Sequence, residues 1–156
     1  MGEGKIVSRT YPAGTSTIMY DATANDSDKS FTVPTNKEWK LKSLYAELLA
    51  TATVGNRVLI AQITSGGNAI FCSRATASIV ASKRGISKIC FGSVISSITT
   101  LRRMLAGTTD CDVCIDAGEC EITLPAGSVI RIWDVATVDA AADDMTVVLH
   151  YEELDV

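Results

Sequence analysis

The sequence predicts an all-β protein, an antiparallel β-sandwich carrying an extended N-terminal arm, and three observations predict it. The stretch WKLKSLYAELLATATVGNRVLIAQI, from Trp39 to Ile63, reads as two apolar-alternating runs folded back on each other at Val54-Gly55-Asn56-Arg57. A second block from Leu124 to Leu154 alternates in the same way behind the turn Pro125-Ala126-Gly127. Around these blocks, short apolar segments are separated by Gly, Pro, Asn and Ser turns, the spacing of sandwich strands.

The 156 residues, 47% of them apolar, suffice for one domain with a hydrophobic core. Residues 1–35 read as an arm with an edge strand, and residues 36–156 as the sandwich. In the arm, Tyr11-Pro12-Ala13-Gly14 is a turn, Thr15 to Tyr20 a short strand, and Asp21 to Ser30 a run of small polar turn formers. An arm that orders against a neighbouring subunit and a frayed terminus carry equal weight. Phe31-Thr32-Val33-Pro34 follows as an edge strand closed by proline.

From Trp39 the apolar positions follow period two: Trp39, Leu41, then, after a change of phase near Ser43, Leu44, Ala46, Leu48, Ala50 and Ala52. A phase change inside a long strand marks a β-bulge or a switch between sheets. After Arg57, Leu59, Ala61 and Ile63 share one face, with Val58, Ile60 and Gln62 on the other. The turn Ser65-Gly66-Gly67-Asn68 leads to Ala69–Cys72, and Ile86 to Phe91 reads as a further strand. Ser93 to Ala106 has apolar residues at helical spacing but is rich in Ser and Thr, which favours irregular structure. Cys111 to Ile115 reads as a strand paired with Cys120–Leu124 across the turn Asp116–Glu119. Val129 to Trp133 and Met145 to Glu152 complete the set, joined by a loop over Val135–Asp144. In the last strand Val147, Leu149 and Tyr151 oppose Thr146, Val148 and His150.

Chemistry is sparse. Nucleophilic catalysis of the Ser-His-Asp or Cys-His kind would have to use His150, the one histidine, which sits in a strand. There is no GxSxG elbow and no phosphate-binding glycine loop. Cys72, Cys90, Cys111, Cys114 and Cys120 read as reduced, mostly buried thiols. A zinc site on Cys111-Asp-Val-Cys114 lacks a second paired spacing, and a Cys111–Cys120 disulfide is the remaining reading. Asp134, Asp139, Asp143 and Asp144 could converge on calcium, but they match no EF-hand and read more simply as a solvated loop. Trp39 and Trp133 lie in apolar strands, which favours core or interface positions over a sugar-stacking platform. The net charge of −4 argues against coating nucleic acid. No apolar run is long enough to span a bilayer, and MGEGKIVSRTYPAG has no apolar segment of a secretory leader. No enzyme activity, cofactor or metal is expected.

The segments Trp39-Lys40-Leu41, Ala50–Leu59 (ATATVGNRVL), Leu124-Pro125-Ala126-Gly127, Ile130-Arg131-Ile132 to Asp134, and Val138–Met145 (VDAAADDM) resemble, in that order and spacing, a recurrent type of small tailed-bacteriophage virion protein. The two blocks that carry them cover roughly a third of the chain. The resemblance implies a jelly-roll sandwich on the capsid shell, a decoration or cement protein. Its expected partner is the major capsid protein and its expected assembly a trimer, with synthesis in the host cytoplasm and location on the capsid surface. Neither nucleic acid nor membrane is expected as a partner. Tyr11, Tyr20 and Arg57 are the interface candidates. A tail, neck or fibre component and a carbohydrate-binding sandwich for host attachment are the alternatives. The segments Asp110–Cys120 and Ser93–Ala106 depart from the type.

Overall fold

A computed structural model describes residues 14–75, 78–91, 111–116 and 122–156. Among these residues ten strands form two sheets and no helix occurs. The strands are β1 (Thr15–Asp21), β2 (Asp28–Thr32), β3 (Lys37–Leu49), β4 (Leu59–Ser65), β5 (Asn68–Arg74), β6 (Arg84–Cys90), β7 (Cys111–Asp116), β8 (Thr123–Leu124), β9 (Val129–Asp134) and β10 (Asp144–Asp155). The larger sheet runs β1-β10-β3-β6-β7, with β8 also paired to β3; the smaller runs β2-β9-β4-β5. Every pairing is antiparallel except β6–β7, which is parallel. The sandwich is therefore as expected, and residues 14–35 supply one strand to each sheet and Phe31 and Val33 to the core.

Two local expectations are corrected by which sheet each strand joins. Gly55-Asn56 does not close a hairpin: β3 pairs with β10, β6 and β8, whereas β4 pairs with β5 and β9. Residues 50–58 instead carry the chain from one sheet to the other. Cys111–Asp116 is a strand, but it pairs with β6, and β8 pairs with Trp39 and Lys40. Turn signals mark a reversal; they do not say which strand lies next door. The helix-or-irregular segment 93–106 and the turn at 117–119 lie outside the described residues.

The phase change near Ser43 is a bulge. The β10–β3 register passes from His150↔Ser43 to Tyr151↔Leu41, leaving Lys42 as the extra residue. Period-two alternation thus restarts, so Trp39 and Leu41 on one side of the bulge and Leu44, Ala46 and Leu48 on the other all face inward. The Lys42 carbonyl accepts from the Phe91 N–H at 2.9 Å, so the bulge leaves that carbonyl paired. Below the bulge the free edge of β3 passes from β6 to the short β8.

The inner faces meet in one core. Met145, Val147, Leu149 and Tyr151 of β10 pack against Leu59, Ala61 and Ile63 of β4 and Ile130 and Ile132 of β9. Trp39 stacks on Tyr151 with ring centroids 4.2 Å apart, and its Nε1–H donates to Glu153 Oε2 at 3.1 Å. Phe71 of β5 meets Phe91 edge-on at 5.4 Å, bridging the sheets at one margin.

Gly85 in β6 is fixed by close approach. A Cβ there would stand 2.2 Å from Ile79 Cδ1 and 2.3 Å from Ile79 Cγ1. Ile79 is buried and its backbone bridges Arg57, so it has little freedom to retreat. Gly85→Ala is expected to cost about 1–3 kcal/mol by overpacking. In an Ile79→Ala background the same substitution should cost close to nothing; urea denaturation of the four-member cycle checks it. Equal costs in both backgrounds would place the strain elsewhere.

Candidate functional site: a locked loop end and two outer faces

Four connections gather at one end of the sandwich: residues 22–27, 50–58, 78–83 with Ala75, and 135–143. Backbone bonds tie them together, with Ser27 N–H donating to the Ala140 carbonyl, Ser82 N–H to Thr51 and Val135 N–H to Val58. Their centre is Arg57, whose exposure is 0%. Its Nε and Nη2 donate to Asp143 Oδ2 and Oδ1 at 2.8 and 3.1 Å. Nη1 donates to the carbonyls of Thr53 and Gly55 at 2.8 and 3.0 Å, and Nη2 also to Thr51 Oγ1 at 3.1 Å. All five guanidinium N–H groups are used.

Arg57 therefore cannot reach a neighbour as an interface side chain, because its head is enclosed by its own chain. It instead fastens residues 51–57 to the β9–β10 loop. Asp143, equally buried, also accepts from the Thr51 N–H at 2.8 Å, and Asp139 Oδ2 accepts from the Thr51 and Thr53 hydroxyls at 2.6 and 2.8 Å. Asp134, 2% exposed, accepts from the N–H groups of Val58 and Ala136 at 2.7 and 3.0 Å, and Asp144 from that of Asn25 at 2.6 Å. The solvated-loop reading of these aspartates is thus corrected for Asp134 and Asp143. Their oxygens are committed to different internal donors, and among the described residues no group of three or more His, Cys, Asp or Glu is placed to hold a metal. Burial without such bonds would cost several kcal/mol per carboxylate, on the order of the penalty for an unpaired buried charge.

A second buried cation closes the β1–β2 turn. The Lys29 ammonium, fully buried, donates to Asp21 Oδ1 at 3.2 Å, Asp26 Oδ2 at 3.2 Å and the Thr23 carbonyl at 2.9 Å, which uses its three protons. The stretch that reads in sequence as a bland polar turn is organised around this lysine.

Two carboxyls at this end titrate below the ordinary aspartate range. For Asp21 the chief cause is the Thr23 N–H, with the Thr23 hydroxyl and Lys29 adding to it; for Asp139 it is the Thr51 hydroxyl, then that of Thr53. A depressed folded-state value contributes stability that is whole above about pH 4 and is lost as pH falls through the lowered folded values. The urea midpoint should therefore drop on acidification below about pH 4. The Asp21→Asn/Asp139→Asn pair should flatten that drop; an unchanged slope would assign acid sensitivity to other groups.

The remaining candidates are scattered. Tyr11 lies outside the described residues. Tyr20 is 65% exposed and Ile18 68% exposed, both on the outer side of edge strand β1. His150 Nε2 lies 2.9 Å from Ser16 Oγ on the outer face of the larger sheet, and among the described residues no third group is hydrogen-bonded to the ring to orient it as a base. Cys72 is exposed on β5, which corrects the expectation of a buried thiol; the side chains of Cys90, Cys111 and Cys114 and all of Cys120 lie outside the described residues. Trp39 is core, whereas Trp133 faces outward from β9, half-buried, with the Arg131 guanidinium 4.7 Å over its ring. A sugar platform needs a bare ring face, and here the guanidinium occupies it. A shallow depression beside β5 is lined by Val58, Arg74, Ala75 and Ser78.

The fold and these bonds define a β-sandwich scaffold whose buried polar side-chain atoms, among the described residues, all have hydrogen-bond partners. No protein-family model and no curated protein matches the chain. Among solved structures, dimeric latent PorU from Porphyromonas gingivalis aligns with 97% of this chain at 7% identity and a TM-score of 0.39, the chain spanning 14% of PorU. A Desmodium yellow mottle tymovirus chain aligns over 99% of this chain and 93% of its own length, at 10% identity and a TM-score of 0.30. A chain of infectious bursal disease virus, Gx strain, aligns over 99% of this chain and 45% of its own, at 13% identity and a TM-score of 0.29. Likenesses at these scores carry no argument about fold or function.

Proposed function

We propose that the protein is a structural component of a virion, a capsid decoration or cement protein of the tailed-bacteriophage type that acts through protein–protein contacts. The strand order carries this reading. The path β1-β10-β3-β6 facing β2-β9-β4-β5 supports a jelly-roll wrap, the fold that the sequence resemblance implies, with β7 and β8 as an addition between β6 and β9. The locked loop end supports it in a second way. A protein that braces a shell works through rigid shape, and a network that leaves no donor of Arg57 free supplies rigidity where loops would otherwise move.

On this reading the major capsid protein is the partner, the capsid surface is the location after synthesis in the host cytoplasm, and the working assembly is a trimer. The test is to tag the chain, purify virions and locate the tag by gold labelling, with copy number from quantitative mass spectrometry. Label over heads at a fixed multiple of three is the expected result. Label on tails would move the protein to the tail or neck, and virions without the chain would overturn a structural role. Light scattering on the free protein should give a mass near three times 16.5 kDa.

A further inference from the structure

The outer faces of the two sheets differ in composition. On the larger sheet the register turns Lys40, Glu47, Lys88 and Glu152 outward, with Arg84 3.7 Å from Glu47. Lys and Glu are depleted at interfaces, so these charges mark the β3–β6 part of the face as solvated, whereas Ile18 and Tyr20 leave an apolar patch at its β1 edge.

On the smaller sheet, the alternation that buries Ile130, Ile132, Leu59, Ala61 and Ile63 turns Arg131, Trp133, Ile60 and Gln62 outward. The register aligns Asp28, Trp133, Ile60 and Arg74 in one row across all four strands. Neither Lys nor Glu faces outward from this sheet, because its one lysine, Lys29, points into the interior. Asp28 is neutralised by Arg131, which meets it through Nε at 2.8 Å and through Nη2 while lying over Trp133. Arg74 is exposed and makes no ion pair among the described residues. The face thus presents a stacked Trp–Arg pair, an aliphatic neighbour and one uncompensated positive charge, on a chain whose net charge is −4.

We propose that this face, centred on Trp133 and Arg131, is the docking surface of the protein and that its partner is a carboxylate-bearing protein surface; on the reading above, which this inference rests on, that is the outer surface of the shell. Trp and Arg are the residues that most often carry binding energy at interfaces. Arg131 is already held by Asp28 and by the indole, so little side-chain freedom is lost on docking. Charge supplies the orientation. An acidic partner is repelled by the chain as a whole and attracted at Arg74, so it meets this face first. The edge of the same sheet is a poorer site, because the shift between Ile63 and Thr64 puts a bulge in the β4–β5 pairing and spoils β5 as a template for a further strand.

The test sediments the purified full chain with heads from a phage unable to make it, using Trp133→Ser, Arg74→Glu and, as a control on the opposite face, Lys88→Glu. Wild type and Lys88→Glu should bind alike. Trp133→Ser should bind about 30-fold more weakly. Arg74→Glu should bind about 10-fold more weakly at low salt, the gap closing as salt is raised. Cys72 lies in the outward row with Arg131 and Gln62, so its alkylation, read by peptide mass spectrometry, should slow on the head-bound chain. Should Trp133→Ser lower the urea midpoint, Arg74→Glu and the Cys72 footprint decide. Wild-type binding with both variants unimpaired overturns this docking face and leaves the virion reading standing. Equal loss in Lys88→Glu reduces the effect to diffuse charge and overturns it. Failure of the wild type to bind heads overturns both. A smaller oligomer for Trp133→Ser without heads would make the face a contact between copies, which overturns the shell partner.

Discussion

Arg57→Ala is expected to destabilise the fold by about 3–5 kcal/mol, because it leaves the buried Asp143 carboxylate without the guanidinium that neutralises it. In a domain of this size that corresponds to a fall of about 6–20 °C in Tm. Asp143→Ala should cost a similar amount for the mirror reason. Arg57→Lys should rescue little, since an ammonium has three protons where the site offers five acceptor contacts in a planar fork. The informative variant is Arg57→Met/Asp143→Leu. Removing both charges eliminates the stranded ion, and the double variant should be markedly more stable than either Ala single. Urea denaturation of all variants checks this. A loss below about 1 kcal/mol for Arg57→Ala would mean that the backbone bonds between the loops hold this end unaided.

Trp39→Ala is the second large effect, expected at about 3–5 kcal/mol. Trp39 is 1% exposed, stacks on Tyr151 and sits where β3 leaves the bulge, so its removal opens a void between β3 and β10 that neither strand can collapse to fill. Trp39→Phe separates packing from hydrogen bonding. It keeps a ring against Tyr151 and loses the indole N–H to Glu153, whose side chain is partly solvated, so it should cost about 1–2 kcal/mol. If Phe and Ala cost the same, the contribution lies in the indole bond and the cavity argument fails.

What the sequence disclosed and what it hid divide by range. The bulge at Lys42 was legible, because the core itself enforces the alternation and a skipped beat between Leu41 and Leu44 has few physical causes. The inward set of β10, Met145 to Tyr151, was legible for the same reason. The mispairing of β3 with β4 arose because Gly55-Asn56 has the chemistry of a hairpin turn, while the choice of sheet depends on strands some ninety residues downstream. Arg57 was hidden by the same distance: its partner Asp143 is separated from it by 86 positions. One signal could have found the pair. A single arginine set between the turn and the apolar run Val58–Ile63 demands a buried counter-charge, and the Asp-rich loop is the obvious source. Lys29 offered a comparable clue, since the alternation that buries Phe31 buries Lys29 as well. The outward turn of Trp133 followed from parity with Ile130 and Ile132, yet its apolar neighbours obscured it.

The strand order also governs when the protein can become a protein. Each sheet takes one of its inner strands from the last two in strand order: β10 lies between β1 and β3, and β9 between β2 and β4. Until those strands leave the ribosome, β1 and β2 have no hydrogen-bonding neighbour on the inner side, and the buried faces of β3 and β4 lack their lids. Neither sheet can zip progressively from one end; both close by insertion, at nearly the same moment. Contacts of such long sequence separation make folding slow, on the ms–s scale of non-local β proteins. A chain made only as far as β8 is therefore an open pair of strand edges, and the commitment to fold waits for β9 and β10.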